Sequence, residues 1–170
     1  MKRRNARCPI CRDSHAFPGG DPESVLRRTP ATLARELRRA PRRLLARRPA
    51  RGAWAVNEVV AHLADAEIAL AFRVRKIAAE RNPVLNAWDQ DAWAEGLRYR
   101  ASSPTAGLAA FRAFRRANLD VLARVGRGRR TRSGRHPEYG KVTLGQLLAH
   151  IAHHDLTHVR QIRQTLVGRR

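Results

Sequence analysis

Apolar residues recur at helical spacing in four long segments of the chain, and we find no convincing strand among them. The segments begin near residues 29, 55, 103 and 143. The second runs from Ala55 to Ala79 without proline or glycine. Four amphipathic helices without a sheet predict an all-α protein, a four-helix bundle.

Capping residues set the expected helix starts. Thr29-Pro30 and Ser103-Pro104 each place an N-cap residue before a proline, so we expect helices one and three to begin there. Thr143 and Gln146 have the spacing of a capping box and predict the start of the fourth helix.

Helix-breaking residues, mainly proline and glycine, predict the connections between the helices. Pro41 predicts a short helical turn after helix one. Asn82-Pro83 breaks the second helix, and residues 81–101 predict a loop with a short extra helix between helices two and three. The glycine- and arginine-rich residues 126–140 predict a mobile loop.

The fourth helix carries four of the seven histidines within residues 150–158. With about 100° per residue and His150 at 0°, His154 falls at about 40°, His158 at about 80° and Gln161 at about 20°. His153 falls at about 300° and is expected to face water. Imidazoles at i and i+4 can share a divalent ion, although half-buried histidines bonded to their neighbours would have the same spacing.

His62 lies at the edge of the apolar stripe of the second helix and supplies the third histidine that such a site needs. Glu58, one turn earlier, either orients His62 or complements the helix dipole. Asp65 is expected to be solvated. Glu67 falls on the core side and therefore requires a partner, such as an arginine.

The segment after the second helix contains three aromatic residues, Trp88, Trp93 and Tyr99. They either wall a pocket or seal one end of the bundle.

Residues 1–20 are expected to form a flexible, basic and dispensable tail, with residues 21–170 as the bundle domain. Cys8 and Cys11, with His15 four residues later, resemble half of a zinc knuckle. No second CxxC is present, so two free thiols on a flexible extension remain the simpler interpretation.

The formal net charge is +21 and the sequence pI is about 11.8. The basic residues are nearly all arginine and are spread over every segment, which predicts only non-specific binding to nucleic acid. No apolar run reaches the roughly 18 residues of a membrane span, so we expect no membrane association and a cytoplasmic location.

Two segments together carry a family resemblance. WAVNEVVAHLADAE (residues 54–67) and LLAHIAHHDLTHVRQI (residues 147–162) resemble the paired motifs of the DinB-like superfamily, which includes bacillithiol transferase-like metalloenzymes. The resemblance covers roughly residues 23–166. It implies an up-down-down-up bundle.

The resemblance also implies a divalent metal ion, zinc or nickel, held by His62, His154 and His158. His150 matches a histidine common in the family and is expected near the site or as an alternative ligand. Glu58 and Gln161 are candidate outer partners of the ligands.

Family members of known activity act with bacillithiol, mycothiol or glutathione, so the resemblance implies a metal-dependent thiol S-transferase. Its partners would be a small-molecule thiol and an electrophile. The alternatives are a metal-dependent hydrolase or a metalloprotein of other reaction, and a non-enzymatic, nucleic-acid-associated protein with a structural metal. The sequence leaves open the metal, the thiol, the electrophile, whether the chain forms a homodimer, and the role of Cys8 and Cys11.

Overall fold

The computed structural model describes residues 8–13, 15, 17 and 20–167. The helices of this part are α1 Pro22–Arg39, α2 Arg42–Leu45, α3 Val56–Ala79, α4 Gln90–Gly96, α5 Pro104–Val125 and α6 Leu144–Val167. Its strands are β1 Ser133–His136 and β2 Gly140–Thr143. Predictions that concern residues 1–7, 14, 16, 18, 19 and 168–170 lie outside the described residues. In the described ranges, no helix combines the length and hydropathy needed to cross a membrane.

Helices α3 and α5 lie side by side and run in the same direction. Near their N-termini, a Cβ atom on Gly107 would lie only 3.1 Å from a methyl group of Val60, so the two backbones approach closely there. Further along both helices, Asn118 Nδ2 donates to the Glu67 side chain at 3.0 Å. The N-terminal part of α3 therefore contacts the N-terminal part of α5, and their later parts also contact each other, so the two helices are parallel.

Helices α1 and α6 form the second parallel pair. Val25 and Leu26 at the start of α1 share an apolar cluster with Leu148 of early α6. Toward the other end, Arg163 of α6 donates to Glu36 of α1 at 2.8 Å. Because His62 of early α3 meets late α6, the two pairs are antiparallel to each other. This arrangement confirms the predicted up-down-down-up bundle, and α4 is the extra helix expected before α5.

A buried ionic cluster joins the four long helices. The side chain of Arg115 in α5 is 2% exposed. Its guanidinium donates to Glu67 of α3 at 2.7 Å and to Asp155 of α6 at 2.7 and 3.0 Å. It also donates to the carbonyl oxygen of Leu26 in α1 at 2.9 Å. Glu67 thus has the arginine partner that its core-facing position requires.

Helix α1 begins at Pro22, about two turns before the predicted start at Thr29-Pro30. Asp21 caps it by accepting from the N–H of Glu23, so the same pairing of cap residue and proline occurs eight residues earlier. Pro30 lies inside the helix and cannot donate to the carbonyl of Leu26. Arg115 donates to that oxygen instead, which offsets the lost helical bond.

Residues 126–140 are not the simple loop that their composition predicted. β1 pairs with β2 as an antiparallel hairpin in which Gly134 opposes Val142. The hairpin docks on the segment after α3, where Leu85 N–H donates to Arg135 O at 2.9 Å and Arg135 N–H donates to Pro83 O at 2.8 Å. These partners are some 50 residues away in sequence, so the local pattern could not reveal the strands.

The described part of the N-terminal segment packs on the bundle. Cys8 is only 6% exposed. Ile10 and Phe17 pack against the apolar cluster that contains Leu148 and Ile151. This packing differs from the flexible extension expected for residues 1–20.

Replacing Arg115 by alanine should lower the free energy of unfolding by about 3–5 kcal/mol, because Glu67 and Asp155 would remain buried without a counter-charge. The matched control is Arg124→Ala on the same helix, whose ion pair with Asp120 is exposed and should contribute less than about 0.5 kcal/mol. Urea unfolding followed by circular dichroism measures both. A loss below about 1 kcal/mol for Arg115→Ala would contradict this account of the cluster.

Candidate metal centre

Three histidine rings from two helices converge at one point in the bundle. His62 Nε2 lies 2.9 Å from His154 Nε2, and His158 Nε2 lies 3.1 Å from the same atom. His62 is fully buried, and the other two rings are largely covered. The structure therefore brings together the three histidines that the sequence selected.

Helix geometry explains this convergence. His154 and His158 are one turn apart on α6 and face the same side. His62 projects from α3, which crosses α6 in the antiparallel sense at this level, with ring centroids 5.0 Å from His154 and 4.8 Å from His158. Apolar residues on either side, among them Leu63 and Val159, bury the contact between the helices.

Gln161 fixes the protonation pattern of His158. His158 Nδ1 lies 2.8 Å from Gln161 Oε1, and an amide oxygen can only accept a hydrogen bond. Nδ1 must therefore carry the proton, which leaves the lone pair of Nε2 directed at the other two rings. Gln161 thus has the position predicted for an outer partner of a ligand.

Glu58 is engaged away from the histidines. Its carboxylate accepts from Arg48 Nε at 2.8 Å and from the N–H of Ala55 at 2.8 Å, which closes a capping contact at the start of α3. His62 Nδ1, by contrast, is buried without a hydrogen-bond partner among the described residues. The structure therefore supports the role of Glu58 at the helix terminus and shows no hydrogen bond from it to His62.

Aromatic rings cover His62. The Trp88 ring stacks on it with centroids 5.5 Å apart and planes 12° apart, and the Trp54 ring lies 5.0 Å away. Trp93 packs edge-on against Trp88. Of the two roles considered for these aromatics, walling the site fits Trp88 and Trp93. Trp54 opens the motif of residues 54–67 but was not predicted to contact the site.

Asp65 was expected to be solvated, but it accepts a hydrogen bond from a buried tyrosine. Tyr99 donates its hydroxyl to Asp65 Oδ2 at 2.6 Å, and Tyr99 is almost fully buried. The contact ties the segment after α4 to the side of α3 that faces away from the core.

A small cavity of about 120 Å³ adjoins the three-histidine group at His154 and is also lined by His150. His154, Trp88, Arg73, Glu67 and Asp155 are among the residues that line it. The Arg73 guanidinium donates to the carbonyl oxygen of Asn86 at 2.6 and 3.0 Å. Sequence reasoning missed Arg73 because arginine is too common in this chain for one of them to stand out.

Asp155 was also missed as a contributor to the site. It lies between His154 and His158 in sequence, and its carboxylate binds Arg115. A signal was available, since Asp155 falls at about 140° on the helix relative to His150, within the buried stripe. An acidic residue in that stripe requires a cation, as Glu67 does on α3.

Burial keeps the site histidines neutral. Desolvation, with the nearby His158, lowers the pKa of His62 to about 3. Burial also lowers the pKa of His154 well below its ordinary value, with further lowering from the charges of the neighbouring histidines and Arg115. The pKa of His158 is lowered by burial, against the opposing effect of Gln161. Neutral imidazole is the form that binds metal ions, so the three residues fit a divalent cation at neutral pH.

The two other histidines of α6 lie outside this group. His150 Nδ1 is 3.9 Å from the Cys8 sulfur. The His153 ring stacks on His15 with centroids 4.3 Å apart, so it is partly covered by the N-terminal segment and does not simply face water. His150 is one turn from His154, with a centroid separation of 6.4 Å.

In metal-free protein, the free energy of unfolding should fall as pH drops below about 6.5. The unfolded chain takes up protons at the ordinary histidine pKa of 6.5, whereas the pKa values of about 3 for His62 and about 4 for His150 keep these rings neutral in the folded state. The unfolded state therefore binds more protons in this range, which costs up to about 1.4 kcal/mol per pH unit for each such histidine.

Urea unfolding of the metal-free protein between pH 6.5 and 5 tests this expectation. His62→Leu, which removes one buried titrating ring, should show a shallower decline than the wild type. Equal slopes for the two proteins would show that His62 is not held neutral.

Residues 25–162 match the family model of the DinB superfamily. A candidate metal-dependent hydrolase of Oceanobacillus iheyensis is 28% identical over 111 residues, which are 65% of this chain and 64% of that protein. YfiT of Bacillus subtilis, also named as a candidate metal-dependent hydrolase, is 25% identical over 116 residues, 65% of each chain. The matches thus span slightly less than two thirds of these relatives.

Two solved structures share the fold. The structure of YfiT, described as a probable metal-dependent hydrolase with an unusual four-helix bundle topology, has a TM-score of 0.80 at 23% identity and 95% coverage of both chains. TT2238, described as a four-helix bundle protein, has a TM-score of 0.60 at 22% identity, with 84% of this chain and 95% of that chain covered. The match of the family model over most of the chain, on the bundle and histidines described above, shows that this chain belongs to the DinB superfamily.

Proposed function

We propose that this protein is a divalent-metal-dependent transferase that acts with a low-molecular-weight thiol. The observation that carries the proposal is the convergence of three neutral imidazoles beside a cavity that also contains an arginine. The relatives named as metal-dependent support the requirement for a metal.

His62, His154 and His158 would hold the ion through their Nε2 atoms. Three protein ligands leave a coordination position for a substrate, which is typical of catalytic rather than structural sites. A divalent ion bound there would supply Lewis acidity, lowering the pKa of a coordinated thiol or water molecule. Imidazole ligands suit both zinc and nickel, and we propose that the ion is one of these two.

The surrounding residues have separate roles. Trp54 and Trp88 exclude water from His62 and so strengthen electrostatic interactions at the site. Arg73 presents a guanidinium to the cavity, where it would bind an anionic group of the thiol cosubstrate. The cavity of about 120 Å³ is smaller than the roughly 300–1,000 Å³ of ordinary ligand pockets, so only the reacting end of a substrate would enter it.

No cysteine belongs to the three-histidine group. Of the two cysteines in the chain, Cys8 lies beside His150 and Cys11 beside His15. The nucleophilic sulfur would therefore come from the small-molecule thiol and not from the protein.

A metal-dependent hydrolase is the second candidate. It is favoured by the relatives, two of which carry that description in their names. The same histidines would serve, with water in place of the thiol. The acidic residues that line the cavity, Glu67 and Asp155, are both bound to Arg115, so neither is a free general base in this arrangement.

Replacing Gln161 by alanine should weaken metal binding about 10–100-fold, because the orientation of His158 would no longer be fixed. Gln164→Ala, at an exposed position on the same helix, is the control and should bind as the wild type does. Alanine in place of His62, His154 or His158 should weaken binding further than Gln161→Ala. Competition titration of the three-histidine site with a chelator measures each affinity, and equal affinities for Gln161→Ala and Gln164→Ala would contradict the role assigned to Gln161.

The metal-loaded protein should conjugate an anionic thiol, such as bacillithiol, mycothiol or glutathione, to an electrophile, and His158→Ala should abolish the activity. Arg73→Gln should raise the KM for the thiol about 10-fold or more, since a charge-assisted hydrogen bond contributes about 1.5–3 kcal/mol. Arg160→Gln, an exposed arginine of α6, is the matched control.

Thiol consumption and ester or amide hydrolysis should be followed in parallel. If the protein hydrolyses the ester or amide but conjugates no thiol, and His158→Ala abolishes this hydrolysis, the transferase proposal is wrong and the hydrolase proposal is supported. If the protein binds metal tightly but shows neither activity, both the transferase and the hydrolase proposals are overturned.

A further inference from the structure

The N-terminal segment and α6 together place a second set of metal-binding side chains one turn from the three-histidine group. The ligand atoms of Cys8, Cys11 and His150 all lie within 4.8 Å of one another, and so do those of Cys11, His15 and His153. The sequence indicated only half of a zinc knuckle. His150 and His153, the α6 members of these two sets, lie on a helix that begins more than 120 residues later.

We propose that Cys8, Cys11 and His150 bind a second divalent ion of the zinc class, with His15 as the fourth ligand. Two thiolates and two imidazoles form one of the usual closed, tetrahedral sets for structural zinc. The inference does not depend on the proposed function, because it uses none of the residues of the three-histidine site.

The distances fit such an ion. Metal–sulfur and metal–nitrogen bonds of about 2.3 and 2.0 Å put a sulfur and a nitrogen ligand about 3.6 Å apart in a tetrahedron. Cys8 Sγ and His150 Nδ1 are 3.9 Å apart. His15 Nε2 is 2.9 Å from Cys11 Sγ and would move slightly outward on binding.

The backbone around the cysteines is shaped to present both sulfurs on one side. Arg12 N–H donates to Cys8 O and Cys8 N–H donates to Asp13 O, each at 2.9 Å, which closes a tight turn. Arg12 adopts a left-handed conformation with φ of 62° to complete it. A non-glycine residue in that region is uncommon and indicates that the surrounding contacts hold the turn in place.

The site would fasten the N-terminal segment to the bundle. Ile10 and Phe17 already pack on the apolar core, and His153 stacks on His15. His150 also lines the cavity beside His154. An ion at Cys8, Cys11 and His150 would therefore hold the segment against His150, a residue of the cavity wall.

Cobalt binding to the full-length, reduced and metal-free protein tests the proposal. Thiolate ligands give cobalt(II) a sulfur-to-metal charge-transfer absorption that histidine ligands do not. The wild type should bind two ions per chain and show this absorption, which zinc should then abolish by displacing the cobalt.

Variants separate the two sites. The double variant Cys8→Ser, Cys11→Ser should bind one ion and lack the charge-transfer absorption. His158→Ala should also bind one ion, but it should retain the absorption because its remaining ion has thiolate ligands. His150→Ala and His15→Ala should each weaken the thiolate-containing site at least about 10-fold, with Gln164→Ala as the control. Circular dichroism should show unchanged helicity in every variant, because none of the substituted side chains belongs to the two apolar core clusters.

Proteolysis gives a second measurement. Arg12 is exposed, so trypsin should cleave after it in metal-free protein. Zinc should slow this cleavage in the wild type and not in the double cysteine variant. The proposal is overturned if the wild type shows no thiolate-to-cobalt absorption, if the double cysteine variant binds as many ions as the wild type, or if His150→Ala keeps full affinity at the thiolate site. Formation of a Cys8–Cys11 disulfide in the presence of excess zinc would also overturn it.

Discussion

The buried guanidinium of Arg115 is the interaction on which the rest of the bundle depends. It is the one residue of α5 that bonds to each of the other long helices in the described part of the chain, through Leu26, Glu67 and Asp155. Apolar packing supplies most of the favourable free energy of such a bundle but is not directional. A charged group that must satisfy three partners at fixed angles specifies how the helices are placed relative to one another, at a cost in desolvation.

The same cluster positions the candidate metal centre. Asp155 lies between His154 and His158 on α6, and Glu67 lies just over one turn beyond His62 on α3, so Arg115 fixes the separation of the two helices beside the ligands. The histidines are neutral because they are buried, and the negative charges nearby are already paired with arginine. The bundle thus provides a neutral, water-poor set of three nitrogen donors, in which a divalent cation would be the main unpaired charge.

The four clustered histidines of α6 contact two different parts of the chain. His154 and His158 meet α3, whereas His150 and His153 meet the N-terminal segment. One helical turn therefore separates the three-histidine group, which would leave a coordination position for a substrate, from the proposed cysteine–histidine set, whose four ligands would fill a tetrahedral site. The first arrangement suits chemistry, and the second suits fastening one segment to another.

The sequence alone determined the features that depend on local periodicity. The helical character of α3, α5 and α6, the capping box at Thr143 and the common face of His154 and His158 all follow from spacing along one segment. The family resemblance of residues 54–67 and 147–162 added the bundle topology. An acidic residue in a buried stripe also implied a buried arginine, although not which one.

Only the tertiary structure decided the features that join distant segments. Arg115, one of many arginines, became the partner of Glu67 and Asp155 because of where α5 packs. The β1–β2 hairpin depends on backbone bonds to residues 83–85, and Cys8 and Cys11 gained imidazole neighbours from a helix at the other end of the chain. The reason is physical: periodicity specifies which face of an element is buried, whereas the identity of the group opposite that face is set by packing.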